Sequence, residues 1–167
     1  MEAWLRGPVD GVPPLLQPVA HMLLHAIDDV NVALEGLTPE QIWASPGGGA
    51  ASVGYHVRHL IGSLDRLFTY ARGEALNDAQ REALRQEAVV PDPPPDGAAL
   101  AAELRAAAER AIDQLRATDP ATLLDPRGVG RKQIPTTVLG LLAHAGEHSA
   151  RHAGQAITTA KIIRGRS

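Results

Sequence analysis

Apolar residues recur at intervals of three and four along four long stretches of the chain, which is the spacing of one face of an α-helix. The first stripe runs from Leu15 to Leu34, the second from Val53 to Leu67, the third from Leu100 to Leu115, and the fourth follows Pro135 and reaches about Ile163. Four helices with one apolar stripe each bury those stripes most simply against one another. The pattern therefore predicts an all-α fold, a four-helix bundle.

The connections between these stretches are long enough to cross the bundle, and they contain shorter elements. Thr38 followed by Pro39 indicates the start of a short helix that ends by Ser45-Pro46. Residues 77–90 have a weaker helical pattern, and residues 91–95 are almost all proline, which predicts an extended connection. Residues 118–133 are predicted to form a polar loop, and no strand is expected. We expect one domain over residues 1–167, with residues 1–12 as a loose lead-in.

Composition narrows the chemistry. Hydrophobic residues make up 44% of the 167 positions but aromatic residues only 3%, so the core must be built from Leu, Ala, Val and Ile. The net charge of −3 argues against a basic nucleic-acid surface, and no apolar run has the length of a membrane span. Without a signal-peptide layout at the N-terminus, the expected location is the cytoplasm. Because the chain has no cysteine, any metal must be held by His, Asp or Glu.

Histidines are concentrated on the helices rather than in the loops. Three of the seven, His144, His148 and His152, are spaced four residues apart on the last long helix, so they stack on one side of it. His148 and His152 take positions of the apolar seam, where a polar ring needs a partner. His56 and His59 lie on the second long helix. Imidazoles at this spacing are a common way to hold a divalent transition metal, although a structural role for them is about equally compatible with the spacing.

Two other histidine patterns point elsewhere. His21 and His25 on the first helix lie near its polar side, which predicts a surface or partner-facing position. Residues 144–148 match the His-x-x-Glu-His pattern of inverted zinc peptidases, in which the glutamate is the general base. That mechanism needs a third ligand well downstream, and only a short tail follows. We therefore expect Glu147 to be a solvated residue that pairs with Arg151.

The residues around both histidine groups resemble a known family. Residues 37–43, the Pro46-Gly47 pair and residues 52–67 are similar to the N-terminal half of a DinB-like protein, and the pattern His148-x-x-x-His152-x-Gly-Gln resembles the C-terminal signature of that family. The resemblance implies a DinB/YfiT-like four-helix bundle in which three histidines hold a metal. By their places in the motifs these ligands are His59, His148 and His152.

Helical phase and the motif differ on the first ligand. His56 lies nearer the apolar stripe, whereas His59 falls about 100° from Leu60. We follow the motif and assign His59, with His56 either hydrogen-bonded to a ligand or lining the cleft. His144 is predicted to orient a ligand through a hydrogen bond. Asp65, Glu147 and Tyr70 are weaker candidates for the cleft, and Ala153, where many relatives have Arg, removes a cation beside the pair.

Three neutral imidazoles leave coordination positions open, which is typical of catalytic rather than structural sites. A zinc or nickel ion, or iron, would lower the pKa of a bound water or thiol. The resemblance implies a small-molecule enzyme, either a thiol-dependent S-transferase using a low-molecular-weight thiol or a hydrolase. The alternative is a non-catalytic helical binding or stress-response module with structural histidines. A homodimer is compatible with the Ala-rich faces, and a role in DNA repair is rejected on charge.

Overall fold

The computed structural model describes residues 1–166, in which helices account for most of the chain. Six are α-helices in that range, with three short 3₁₀ turns at Ala3–Leu5, Pro14–Leu16 and Pro120–Thr122. The α-helices are α1 (Gln17–Leu34), α2 (Pro39–Trp43), α3 (Val53–Ala71), α4 (Asp78–Gln86), α5 (Gly97–Ala117) and α6 (Val138–Arg164). The prediction of an all-α fold with short extra helices is confirmed.

In the bundle of four long helices, α1 and α3 lie diagonally opposite each other, and so do α5 and α6. Helix α6 packs mainly on α1 and α3, and α5 packs on the same two helices from the other side, while α1 and α3 barely meet. Arg164 at the end of α6 donates to the Ala33 carbonyl near the end of α1 (3.1 Å), so α1 and α6 run in the same direction. Gln114 of α5 donates to the Phe68 carbonyl of α3 (2.9 Å), which places their C-terminal ends together. His59 of α3 meets His148 of α6 and His56 meets His152, so α3 is antiparallel to α6. The connection between the parallel helices α3 and α5 returns along the length of the bundle.

The core is aliphatic, as the composition requires. Fully buried side chains come from each long helix and include Val30, Leu60, Leu104 and Leu142. Leu15 is the exception, because it is 68% exposed. The stripe assigned it to the first helix, but it lies in a 3₁₀ turn that precedes α1, and three residues per turn change the direction of its side chain. No helix within residues 1–166 combines the length and apolarity needed to cross a bilayer.

Side-chain caps begin α2, α3 and α5, and the start of α2 at Thr38 is one that the sequence predicts. Ser52 Oγ accepts from the Tyr55 amide (3.1 Å), and Asp96 Oδ1 accepts from the Ala99 amide (2.8 Å). Thr38 forms a capping box with Gln41 at the start of α2. These bonds satisfy amides that have no partner inside the helix. The start of α3, and with it the position of His56 and His59, is therefore set by local chemistry.

The segment before α6 differs from its prediction. Strands β1 (Pro126–Val129) and β2 (Ile134–Thr137) pair as an antiparallel hairpin, with Pro126 opposite Thr137. The expectation of a loop without strands was wrong here, because four-residue strands are too short to show an alternating pattern and depend on pairing across the turn. The first twelve residues also pack on the bundle, since Ala3 and Val12 are buried.

Candidate metal centre

Three histidines meet where α3 crosses α6. His59 comes from α3, and His148 and His152 come from successive turns of α6, which the four-residue spacing places on one face. Each offers one ligand atom, and these three atoms lie within 4.8 Å of one another. The ring centroids of His148 and His152 are 4.4 Å apart, and those of His59 and His152 are 4.5 Å apart. Among residues 1–166 this is the one cluster of His, Cys, Asp or Glu with such spacing.

The spacing of the nitrogens fits a divalent ion. His59 Nε2 lies 3.0 Å from His148 Nε2. Two nitrogens bound to one tetrahedral ion at about 2.0–2.1 Å would lie about 3.3 Å apart, so little movement is required. His148 Nδ1 is buried and has no hydrogen-bond partner among the described residues. Mutual hydrogen bonding therefore leaves one of the three rings incompletely satisfied, although buried polar atoms in proteins are normally paired.

The local environment keeps two of the rings neutral. Burial lowers the pKa of His148 to about 4, and the neighbouring imidazole of His59 adds to the effect. Burial, and then the proximity of His148, lowers the pKa of His152 to about 4 as well. Desolvation disfavours the charged form of an imidazole, and a nearby positive charge disfavours it further. At neutral pH both rings are therefore uncharged, and one nitrogen of each ring has a lone pair available for a metal.

A buried carboxylate lies behind His59. Glu87, just beyond the end of α4, is 6% exposed, and its Oε2 is 2.7 Å from His59 Nδ1. Its other oxygen, Oε1, accepts a hydrogen bond from Arg66. Burial raises the pKa of Glu87, but the hydrogen bonds from His59 and Arg66 outweigh burial, and the net pKa is lowered. An ionised carboxylate can only accept, so His59 donates through Nδ1–H, and in the neutral ring Nε2 then has the lone pair.

Ser63 and Tyr55 complete the surroundings of His59. Ser63 Oγ donates to the His59 carbonyl (2.6 Å) and lies 3.1 Å from His148 Nε2. The Tyr55 ring is nearly parallel to the His59 ring, at an interplanar angle of 7° and a centroid distance of 5.7 Å. Sequence reasoning assigned no role to Tyr55, Ser63, Arg66 or Glu87. Ser63 stands in the motif used to choose His59, but Glu87 lies 28 positions away in a weakly patterned segment and gave no local signal.

His56 lies beside the cluster and outside the group of three. It is 7% exposed, and its Nδ1 is 3.2 Å from Nδ1 of His152. One of these two nitrogens must donate to the other, so the Nδ1 atom of His152 is engaged by His56. Burial, followed by the charge of His59, lowers the pKa of His56. The helical phase correctly indicated that His56 lies nearer the core than His59. The group of three converging ligand atoms nevertheless contains His59 and not His56.

The remaining candidate residues supply no ligand atom to the group of three, although the His144 ring lies 5.3 Å from that of His148. Glu147 is exposed and pairs with Arg151, as its i,i+4 spacing predicted, and His144 Nδ1 lies 3.4 Å from the Glu147 carboxylate. His144 is half-exposed and donates no hydrogen bond to His148 Nδ1, which has no partner among residues 1–166. Asp65 is exposed and accepts from Gln80 of α4 (2.8 Å).

The first-helix histidines and Tyr70 are also remote from the cluster. His21 is hydrogen-bonded to the Gly7 carbonyl, and His25 pairs with Asp29. Tyr70 lines a separate cavity beside the β1–β2 turn. Neither of the two histidines belongs to the group of three whose ligand atoms converge.

An open cavity lies beside His56, the residue that contacts His152. Its volume is about 520 Å³, and His56 forms part of its wall. The glycine-rich loop after α2 contributes Gly47, and α6 contributes Arg151, Gln155 and Thr158. Arg151 is paired with Glu147, and Thr158 Oγ1 donates to the Gly154 carbonyl (3.0 Å), so these polar residues line the wall next to His56 with part of their hydrogen-bonding capacity already used.

These features define an all-α protein with a bundle of four long helices and a three-histidine cluster between two antiparallel members. The family model of the DinB superfamily matches residues 22–156, and the chain belongs to that superfamily. No protein of curated function matches the chain. The fold is similar to the crystal structure of a conserved protein from Enterococcus faecalis, with a TM-score of 0.69 and 18% identity over 88% of this chain and 95% of that one. At that identity the likeness shows the fold.

Proposed function

We propose that this protein is a metal-dependent enzyme that binds one divalent transition-metal ion through His59, His148 and His152. The convergence of three ligand atoms within 4.8 Å carries the proposal. The set contains only imidazole nitrogens, which suit zinc, nickel or iron. Three protein ligands leave at least one position for a water or a substrate, as in catalytic zinc sites.

A divalent ion bound there would lower the pKa of a coordinated water or thiol and so supply a nucleophile near neutral pH. The protein's own residues would prepare the site for this chemistry. Burial holds His148 and His152 neutral, so they bind a cation without first losing a proton. Glu87 holds His59 with its Nε2 lone pair directed at His148.

The reaction we propose is transfer through a low-molecular-weight thiol, in preference to hydrolysis. The chain has no cysteine, so a sulfur nucleophile would have to come from a second substrate. The cavity of about 520 Å³ beside His56 has room for such a molecule. Gln155 on its wall offers an amide donor, and Arg151, which is already paired with Glu147, adds a positive charge for a carboxylate, a group common in small cellular thiols.

Elemental analysis of protein purified without a histidine tag tests the metal site. We expect close to one equivalent of zinc, nickel or iron per chain in the wild type and its loss in His148→Ala. His25→Ala is the matched control, because His25 lies on α1 and pairs with Asp29 at 3.7 Å, away from the cluster. The loaded protein is then assayed with thiols and an electrophile for the loss of free thiol, which hydrolysis would leave unchanged.

A non-catalytic binding module with structural histidines predicts a different result. In that case no metal co-purifies, added metal does not raise the stability of the wild type, and His148→Ala behaves as an ordinary core substitution. That outcome would overturn the proposal. Equal metal content in His148→Ala and the wild type would overturn the ligand assignment.

A further inference from the structure

We infer that Glu87 is a positioning residue of the metal centre: its carboxylate fixes the tautomer and the orientation of His59 and thereby sets the affinity of the site for metal. The inference rests on the proposed function, because it concerns the same three-histidine site. It adds a residue from outside the two helices that supply the histidines. Glu87 belongs to the segment that follows α4, and its carboxylate contacts His59 and Arg66 of α3.

The burial of Glu87 requires an explanation. Its side chain is 8% exposed, and that of its partner Arg66 is 12% exposed. Removing a charged pair from water is expensive, and such a pair often contributes little net stability compared with apolar residues of the same size. Stability alone therefore gives little reason for the Arg66–Glu87 pair to be buried. Its second contact, the 2.7 Å bond from His59 Nδ1 to Oε2, provides a functional one.

The geometry makes Glu87 an orienting group and excludes it as a fourth ligand. Oε2 lies at the Nδ1 edge of the His59 ring, whereas Nε2 on the opposite edge is 3.0 Å from His148 Nε2. A carboxylate on Nδ1–H assigns the proton to that nitrogen and leaves Nε2 free for a metal. This arrangement of carboxylate, histidine and metal is a common way to orient a ligand and raise its basicity.

Two other features fit the same role. The Tyr55 ring lies nearly parallel to the His59 ring, so it restricts rotation of the imidazole out of its plane. Gly62 leaves space for the carboxylate: a Cβ at this position would be 2.7 Å from Arg66 Nη1 and closer still to Glu87 Oε1. The helix therefore lacks a side chain at the point where the carboxylate enters.

Zinc titration in competition with a chromophoric chelator tests the inference on the full-length protein. In Glu87→Gln we expect the affinity for zinc to fall about 10- to 100-fold, the range found when such orienting partners are removed. His59 and Arg66 donate to different oxygens of Glu87, and glutamine has an amide nitrogen at one of these positions, so one of the two donors loses its acceptor. The matched control is Glu82→Gln on α4, which removes an exposed carboxylate paired with Arg85, and its affinity should equal that of the wild type.

A second variant separates positioning from stability. In Arg66→Met/Glu87→Met the whole buried pair is replaced by apolar side chains, which keeps the core filled. We expect this variant to remain folded by circular dichroism and still to lose about 10- to 100-fold in zinc affinity. Arg66→Met alone retains the carboxylate on His59, so its affinity should stay within a few-fold of the wild type.

Nitrogen-15 NMR of the imidazoles gives a measurement that needs no metal. In the metal-free wild type His59 should carry its proton on Nδ1, and in the double variant that preference should be lost. If wild-type protein binds none of zinc, nickel and iron, the proposed function fails and the inference fails with it. If the wild type binds zinc and the folded double variant binds it equally well, or retains the Nδ1–H tautomer, the inference alone is overturned.

Discussion

Acidification of the metal-free protein should reveal the two neutral histidines directly. The pKa values of His148 and His152 are about 4 in the folded chain, compared with an ordinary value of 6.5. Between these values the unfolded chain binds protons that the folded chain does not. Stability then rises with pH, so the contribution of these rings is complete above pH 6.5 and is lost as the pH falls towards 4.

The size of the effect follows from the same values. One pKa unit corresponds to about 1.4 kcal/mol, so the full difference amounts to roughly 3 kcal/mol per ring. Both rings are only partly buried, and solvent screening reduces such figures. We therefore expect about 1–2 kcal/mol per ring, or about 2–4 kcal/mol for the two together. That is a large share of the roughly 5–15 kcal/mol by which a domain is stable.

Urea unfolding followed by circular dichroism at pH 7.5, 6.5, 5.5 and 5.0 measures the part of this loss that falls above pH 5, about half of it, in metal-free protein. The window above pH 5 isolates histidines, because carboxylates with a lowered pKa, such as Glu87, lose stability only below their ordinary value of 4.5. His148→Leu removes one of the three histidines with a lowered pKa, His56 being the third, and should reduce the loss by about a third to a half. His25→Leu, a half-exposed position on α1, serves as the control and should leave it unchanged.

Two results would refute this reasoning. The first is an unfolding free energy of the wild type that is the same at pH 7.5 and pH 5.0. The second is a loss in His148→Leu as large as in the wild type, which would assign the acid sensitivity to other groups. Added zinc should raise the free energy of unfolding more at pH 7.5 than at pH 5.0, because protons and metal compete for the same nitrogens. The dependence of stability on pH should therefore become steeper.

Glycine and cap substitutions test the local structure around the site by urea unfolding. Gly54→Ala should lower stability by about 1–3 kcal/mol, because its Cβ would lie 2.7 Å from the rigid ring of Trp43. Gly154→Ala, an equally helical position with open space around it, should raise stability by about 0.5–1 kcal/mol, and equal effects of the two would contradict the close packing at Gly54. Asp96→Ala should cost about 1 kcal/mol, since its carboxylate caps α5; an unchanged midpoint would show that the cap is redundant.

The helices could be predicted from the sequence because their causes are local. Three- and four-residue spacing, the caps at Ser52 and Asp96, and the break at the proline-rich segment each act within one or two turns. The two errors have different causes, one in the local turn geometry and one in pairing between segments. Leu15 belongs to a 3₁₀ turn, and the β1–β2 hairpin depends on pairing between segments that are individually too short to identify.

The residues of the site also fall into two groups, those that the sequence identifies and those that only the fold brings together. The sequence alone placed His148 and His152 on one face of a helix, and a family motif added His59, whereas phase favoured His56. Only the packing of α3 against α6 brings the three side chains together and leaves His56 at the edge of His152. Only the path of the chain after α4 brings Glu87 to His59, because a contact across 28 positions leaves no periodic trace in the sequence. Local spacing determined which residues could act together, and the tertiary structure decided which of them meet.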